Sequence, residues 1–289
     1  MKLRTWTAAG LWAFALTAAL STSGCIKTLQ NFTIYPDGSG KCEIKMTFLG
    51  MMAQMMKMGG EMGGMTGPDG QQMQDPKQAV KEALKGKVYW DTIEGKETEA
   101  ETYTITGTGY FDNVTDLDLD DGSISFGPDG DGFKFSMTQK SKLGEGMPGL
   151  PPGLGGEGDV DPKSPQAEQM KTMAKAMLAG FEMKVNVRLP GEIMTIEGFG
   201  AHEGRAATFR LGEDQLHKMI DQDEKPPEVL TAVSGPAGEG LQAEWDGFKE
   251  KLAEVKKAQE EADKAEAEGE KKDEGADDTE GEAEEEGEF

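Results

Sequence analysis

Seven methionines crowd into fifteen residues, "MMAQMMKMGGEMGGM": Met51, Met52, Met55, Met56, Met58, Met62 and Met65. A thioether is a soft, neutral ligand, and three or four of them can hold Cu(I) or Ag(I) in an oxidising compartment where thiolates would be lost. The spacings Met52-x-x-Met55 and Met62-x-x-Met65 let pairs converge. No histidine or cysteine lies in the cluster to raise affinity. The same residues also suit an apolar cover, because methionine is flexible and accepts varied partners. "MMAQMMKM" then reads as one or two helical turns dissolving into glycine, a movable cover over an apolar ligand. The expectation is cover rather than metal site, with Cu(I) as the alternative and no other cofactor. The Met-rich segment is taken as 51–73.

Other chemistry is sparse. His202 lies in the turn "FGAHEGR" and His217 beside Lys218 on a short helix, neither at metal-ligand spacing from a second His or Cys. Asp116, Asp118 and Asp120 match the first positions of a calcium loop. Its sixth position is Asp121 instead of glycine and its twelfth is Gly127 instead of glutamate, so the loop fails as an EF-hand. No nucleophile elbow, phosphate loop or dinucleotide fingerprint occurs. The expectation is a non-enzymatic protein.

Cys25 carries the strongest chemical signal. Lys2 and Arg4 precede the apolar run Thr7–Leu20, too short for a comfortable membrane span, and "STSGC" follows. The Gly24-Cys25 junction resembles a bacterial lipobox, although Thr22 stands where leucine is usual. That resemblance implies removal of residues 1–24 and acylation of Cys25, giving a stable membrane anchor. Ile26 is not the aspartate that retains such proteins in an inner membrane, so the resemblance favours an outer membrane where two exist. Only Cys42 then remains, expected as a small buried side chain beside Ile44, Met46 and Phe48.

Charge narrows the partners. The chain of 289 residues carries −24. From Leu241 to Phe289 there are 20 Asp or Glu against 7 Lys or Arg, a net −13, which leaves −11 to the rest. Nucleic acid is excluded as a partner, since phosphate binding needs a basic surface. The chain should also be repelled by an anionic membrane surface, so electrostatics is not expected to be what holds it to a bilayer.

The elements that would position these residues read as an α+β domain over 25–222, an antiparallel sheet with a few short helices. "LQNFTIYP" and "KCEIKMTFL" alternate around the turn "DGSG" and predict a hairpin. "DPKQAVKEALKG" predicts a helix from Asp75 closed by Gly86. In "ETYTITGTGYF", Tyr103, Ile105 and Tyr110 are expected on one face. "SISFG" and "GFKFSM" pair across "PDGDG". Residues 144–165 form a Gly/Pro-rich excursion. A helix with Met170, Met173 and Met177 on its buried stripe follows, then "FEMKVNVRL", with Phe181, Met183, Val185, Val187 and Leu189 facing in. "PG" turns this strand, "EIMTIEGFG" continues, "RAATFRL" pairs back, and Leu216 and Ile220 bury a closing helix. Residues 223–240 read as a linker. An amphipathic helix spans 241–267, with Leu241, Trp245, Phe248, Leu252 and Val255 at heptad spacing. That seam either docks on the body or recruits a protein partner in an assembly. Residues 268–289 have the composition of a disordered acidic tail.

The order of these pieces resembles the LppM-like domain of bacterial lipoproteins, from Cys25 to about Ile220. The carrying motifs are the anchored cysteine, the strand-"PDGSG"-strand unit, "GYFDNVTDLDL" and "VNVRLPGEIMTIEGFG". The resemblance implies an α+β fold that holds a lipid-like ligand between sheet and helix, with no catalytic residues.

Overall fold

The fold is known as a computed structural model. It describes residues 26–50, 53–54, 57, 78, 80–81, 84–99, 101–118, 122–138, 165–221 and 227–273. Cys25 and the seven methionines of the cluster lie outside these residues, as do the excursion 144–165 up to its last residue and the tail beyond 273.

The first hairpin forms as its alternation predicts. β1 (Ile26–Ile34) pairs antiparallel with β2 (Gly40–Leu49), from Ile26 opposite Phe48 to Ile34 opposite Gly40. The turn is closed by Tyr35 N–H to Ser39 O at 2.8 Å and by Gly38 in the left-handed region, φ +84°. β3 (Lys85–Gly86) follows, then β4 (Tyr89–Glu99) and β5 (Thr102–Phe111). Asn113 caps a 3₁₀ turn, Val114–Asp116, before β6 (Leu117–Asp118). β7 (Ser123–Asp129) and β8 (Gly132–Thr138) make the second hairpin. Helix α1 (Pro165–Met177) precedes β9 (Glu182–Arg188), β10 (Gly191–Glu197), β11 (Ala201–Glu203) and β12 (Ala206–Gly212). The described residues end with α2 (Glu213–Ile220), β13 (Val229–Ala237) and α3 (Leu241–Asp273).

The architecture is α+β but mostly β, and the single antiparallel sheet expected from the sequence is corrected to two larger sheets. One has seven strands in the order β11-β12-β9-β1-β2-β5-β4. It is mixed, because β1 and β9 run parallel. The other has four strands in the order β10-β13-β8-β7, and β3 and β6 form a two-stranded ribbon. The split occurs at Leu189-Pro190-Gly191, where the chain leaves the large sheet and enters the small one. A Cβ at Gly191 would collide with the carbonyls of Gly235 and Pro236, so only glycine lets β10 start against β13.

One core joins the two sheets. Phe32, Ile34, Ile44, Val185 and Val187 face Phe135, Leu230 and Ala232 within it, all at most 2% exposed. Cys42 is fully buried there, and burial pushes its thiol pKa up. On β5, Gly107 and Gly109 share the inner face with Tyr103 and Ile105. A Cβ on Gly109 would come within 2.6 Å of Val88 and 3.2 Å of Trp90, so the glycines admit those side chains. Tyr110 faces the other way, correcting the expected shared face. Met173 is half exposed, and from α1 it is Ala174 that is fully buried, with Leu178 buried just after the helix. The side chains of Met170 and Met177 lie outside the described residues.

The expected linker 223–240 is also corrected. β13 occupies its second half and sits in the interior of the four-stranded sheet, between β10 and β8. Leu230, Ala232 and Ser234 are completely buried. Their alternation is present in "EVLTAVSGPA" but is framed by Pro226-Pro227 and Pro236, which read as loop. α3 runs beyond the expected 241–267.

Candidate functional site

Two places concentrate side chains that could bind something. The first is the end of the large sheet where β1 begins. Ile26 lies opposite Phe48, Leu49 opposite Thr102, and Gly50 N–H donates to Glu101 O at 2.9 Å. Just beyond, the helical residues Ala53, Gln54 and Lys57 meet the β4–β5 turn. Between them lies an open depression of about 260 Å³, lined by Ala53, Gln54, Lys57, Glu97, Glu101, Thr102 and Tyr103. Ala53 is buried, and Lys57 Nζ bridges the rim to Glu97 Oε2 at 2.7 Å. Gly95 makes room for the Tyr103 ring, whose hydroxyl lies where a Cβ would stand. The lining is more polar than the apolar cavity expected under the methionines. It offers a cation, two carboxylates and one aromatic edge, a set suited to holding a polar-headed group.

The second place is the seam under α3. Leu241, Phe248, Leu252 and Val255 are each at most 8% exposed, packed on Tyr35 and Tyr110, with Trp245 partly buried beside them. The Tyr35 and Phe248 ring centroids are 4.4 Å apart. Ion pairs frame this stripe: Glu244 with Arg188 and Arg205, Lys251 with Asp91 at 3.4 Å, and Lys256 with Asp112 at 2.6 Å. Burial first, and the neighbouring Glu244 charge second, push the Tyr35 phenol up to about 12. The heptad stripe is therefore spent on the protein's own sheet. Of the two roles that the spacing allows, docking on the body is the one these contacts serve.

The remaining sequence-derived candidates do not come together. His202 sits on the edge strand β11 opposite Ala207, while His217 on α2 lies 3.3 Å from the carbonyl of Lys175. Asp116 ends the 3₁₀ turn, Asp118 pairs with Lys85 in the ribbon, and Asp120 is outside the described residues. Among the described residues no three of His, Cys, Asp and Glu are grouped to hold a metal ion. No described helix is long and apolar enough to cross a membrane.

The motifs behind the family resemblance prove to be neighbours. Val114 N–H donates to Gly38 O at 2.8 Å, which locks "FDNVTDL" onto the "PDGSG" turn. No family model matches the sequence, and no curated protein matches it. Among solved structures, the chain is weakly similar to the folded domain of LppM from Mycobacterium tuberculosis, solved by NMR. Identity is 13%, the TM-score is 0.33, and the match covers 74% of this chain and 91% of that one. This is the same domain that the sequence motifs resemble.

Proposed function

We propose that this chain is an envelope lipoprotein, anchored through Cys25, whose body is a non-enzymatic binding or structural module for a lipid-like ligand. One observation carries the reading. β1 begins at Ile26, one peptide bond past Cys25, and the depression beside Ala53 and Tyr103 opens at that same end of the sheet. A ligand held there lies next to the membrane that the acyl chains would enter. Met51–Met65 follows β2 directly in sequence at that end, which supports its role as the apolar cover of a site whose described lining mixes polar and apolar groups.

Native mass spectrometry of the full chain and of a form lacking Met51–Met65 tests this. Phosphatidylcholine and Cu(I) are offered separately under reducing conditions. Lipid-sized adducts that weaken on deletion are expected. A discrete copper adduct, lost on deletion, would overturn the reading in favour of soft-metal binding.

A further inference from the structure

Strand register lines up side chains in rows across the outer face of the large sheet. One transverse row runs Arg210, Lys184, Leu29, Lys45, Thr106 and Glu94 across β12, β9, β1, β2, β5 and β4. The next row toward the β1 start holds Glu182, Lys27, Thr47, Thr104 and Lys96. Hydrogen bonds from Asn186 to Asn31 (2.7 Å) and from Thr208 to Asn186 (2.9 Å) tie the neighbouring row together on this same face.

Five cations thus share the first two rows with two carboxylates, one of which, Glu182, is already held by Arg210 at 2.9 Å; the neighbouring row adds Glu43, held by Lys41 at 3.0 Å. Among the described residues Lys27, Lys45, Lys96 and Lys184 carry no ion pair. Lys27, Lys45, Lys96 and Arg210 are exposed and Lys184 is half-buried. Lys184 and Arg210 stand directly opposite each other, an arrangement of like charges that disfavours strand pairing. The chain has 54 acidic residues against 30 basic ones, so an uncompensated basic patch runs against its composition. α3 does not neutralise it. Its sheet contacts fall at Arg188, Tyr35, Tyr110 and Asp112, two or more rows away, and at Asp91 in the β4 bulge between the Tyr89 and Thr92 rows; each row adds about 7 Å.

Position supplies the partner. Lys27 is two residues from Cys25; Ile26 is already registered against Phe48 of β2, and Lys27 itself is held between Thr47 of β2 and Glu182 of β9. One residue of main chain spans at most about 3.6 Å, so an acylated Cys25 leaves this patch no slack to stand away from the headgroups. Charge acts within a Debye length of about 8 Å at physiological salt, so the local sign of these rows outweighs the net charge of the chain.

We propose that this outer face, centred on Lys27, Lys45 and Lys184, docks on anionic phospholipid headgroups of the membrane holding the anchor. The proposal rests on the reading of Cys25 as the acylated residue. Docking fixes the orientation of the body: the basic rows lie against the bilayer, and the contacts of α3 with the sheet lie toward the other end of the strands.

The test is lysine acetylation by a water-soluble reagent, read by peptide mass spectrometry, on the full anchored chain in vesicles. Neutral phosphatidylcholine vesicles are compared with vesicles containing phosphatidylglycerol. Lys27, Lys45 and Lys184 should react about fivefold more slowly on the anionic vesicles, with protection lost in high salt. Lys249 and Lys257 on α3 should not change, and Lys45→Glu should weaken protection of the other two. Equal rates on both vesicles would overturn the proposal. The intact mass decides the anchor separately. If Cys25 bears no acyl chains, the same comparison is made with the mature chain, residues 25–289, coupled through Cys25 to a maleimide lipid, Cys42 being buried. Equal rates there would again overturn the docking face.

Discussion

Arg188 holds Glu244 with both ends of its guanidinium, Nη1 to Oε1 at 2.9 Å and Nη2 to Oε2 at 3.3 Å. The pair fastens α3 to β9 across 56 residues of sequence. Bidentate geometry makes it stronger than a single contact, but both side chains are a third or more exposed, and water screens it. Glu244→Gln should lower stability by about 1 kcal/mol. Arg188→Gln should add little once Glu244 is gone. A double-mutant cycle in denaturant measures the coupling, and additive losses would show that the two side chains do not interact.

The same carboxylate sets a pH dependence. Tyr35 donates to Glu244 Oε1 at 3.4 Å, and its phenol is raised from 10.0 to about 12 by burial and then by the Glu244 charge. A raised folded-state value means that the unfolded chain releases this proton first. The stability is therefore fully present below pH 10 and is lost as pH rises toward 12. Tyr110, also raised by burial, adds to the same slope. Denaturant midpoints from pH 8 to 12 should fall, and Tyr35→Phe should flatten the fall. An unchanged slope in that variant would exclude Tyr35 as its source.

Alternation was the legible part of this sequence. The hairpins β1–β2 and β7–β8, the inward face of β9 and the burial of Cys42 follow from period-two patterns and glycine turns. The heptad spacing of Leu241 to Val255 gave a helix with one apolar side, but spacing alone does not say whether that side covers its own sheet or another chain. Tyr35 and Tyr110, which decide the matter, are separated from α3 by more than a hundred residues. β13 was hidden by the prolines around it, and β4 continues through the charged "EGKETE", where charge protects an edge strand rather than marking a loop. The basic patch was invisible to composition, because Lys27, Lys45, Lys184 and Arg210 meet only through strand register.

Close packing on β5 supplies a third expectation. A methyl group at Gly109 would lie 2.6 Å from Val88 Cγ1, well inside van der Waals contact. Gly109→Ala should cost about 1–3 kcal/mol through overpacking. Val88→Ala removes the colliding methyls, so the double variant should recover part of that loss. Thermal unfolding of the two single variants and the double variant measures it. A double variant less stable than the sum of the singles would place the strain elsewhere.

The C-terminal third should divide sharply at Gly240. A chain ending there loses α3 and uncovers Tyr35 and Tyr110, yet every strand of both sheets remains, so cooperative unfolding should survive at reduced stability. A chain ending at Asp221 also loses β13. That strand pairs with β10 on one side and β8 on the other, and buries Leu230 and Ala232 completely. Its removal leaves two open edges in the small sheet and a cavity at the centre of the shared core, where each large side chain lost costs about 2–5 kcal/mol. Total stability of a domain is only about 5–15 kcal/mol, so this shorter chain should not fold. Circular dichroism melts of the two truncations separate the cases: a cooperative transition in the longer chain and none in the shorter. A cooperative melt from the shorter chain would mean that β13 is an appendage to the small sheet rather than its centre.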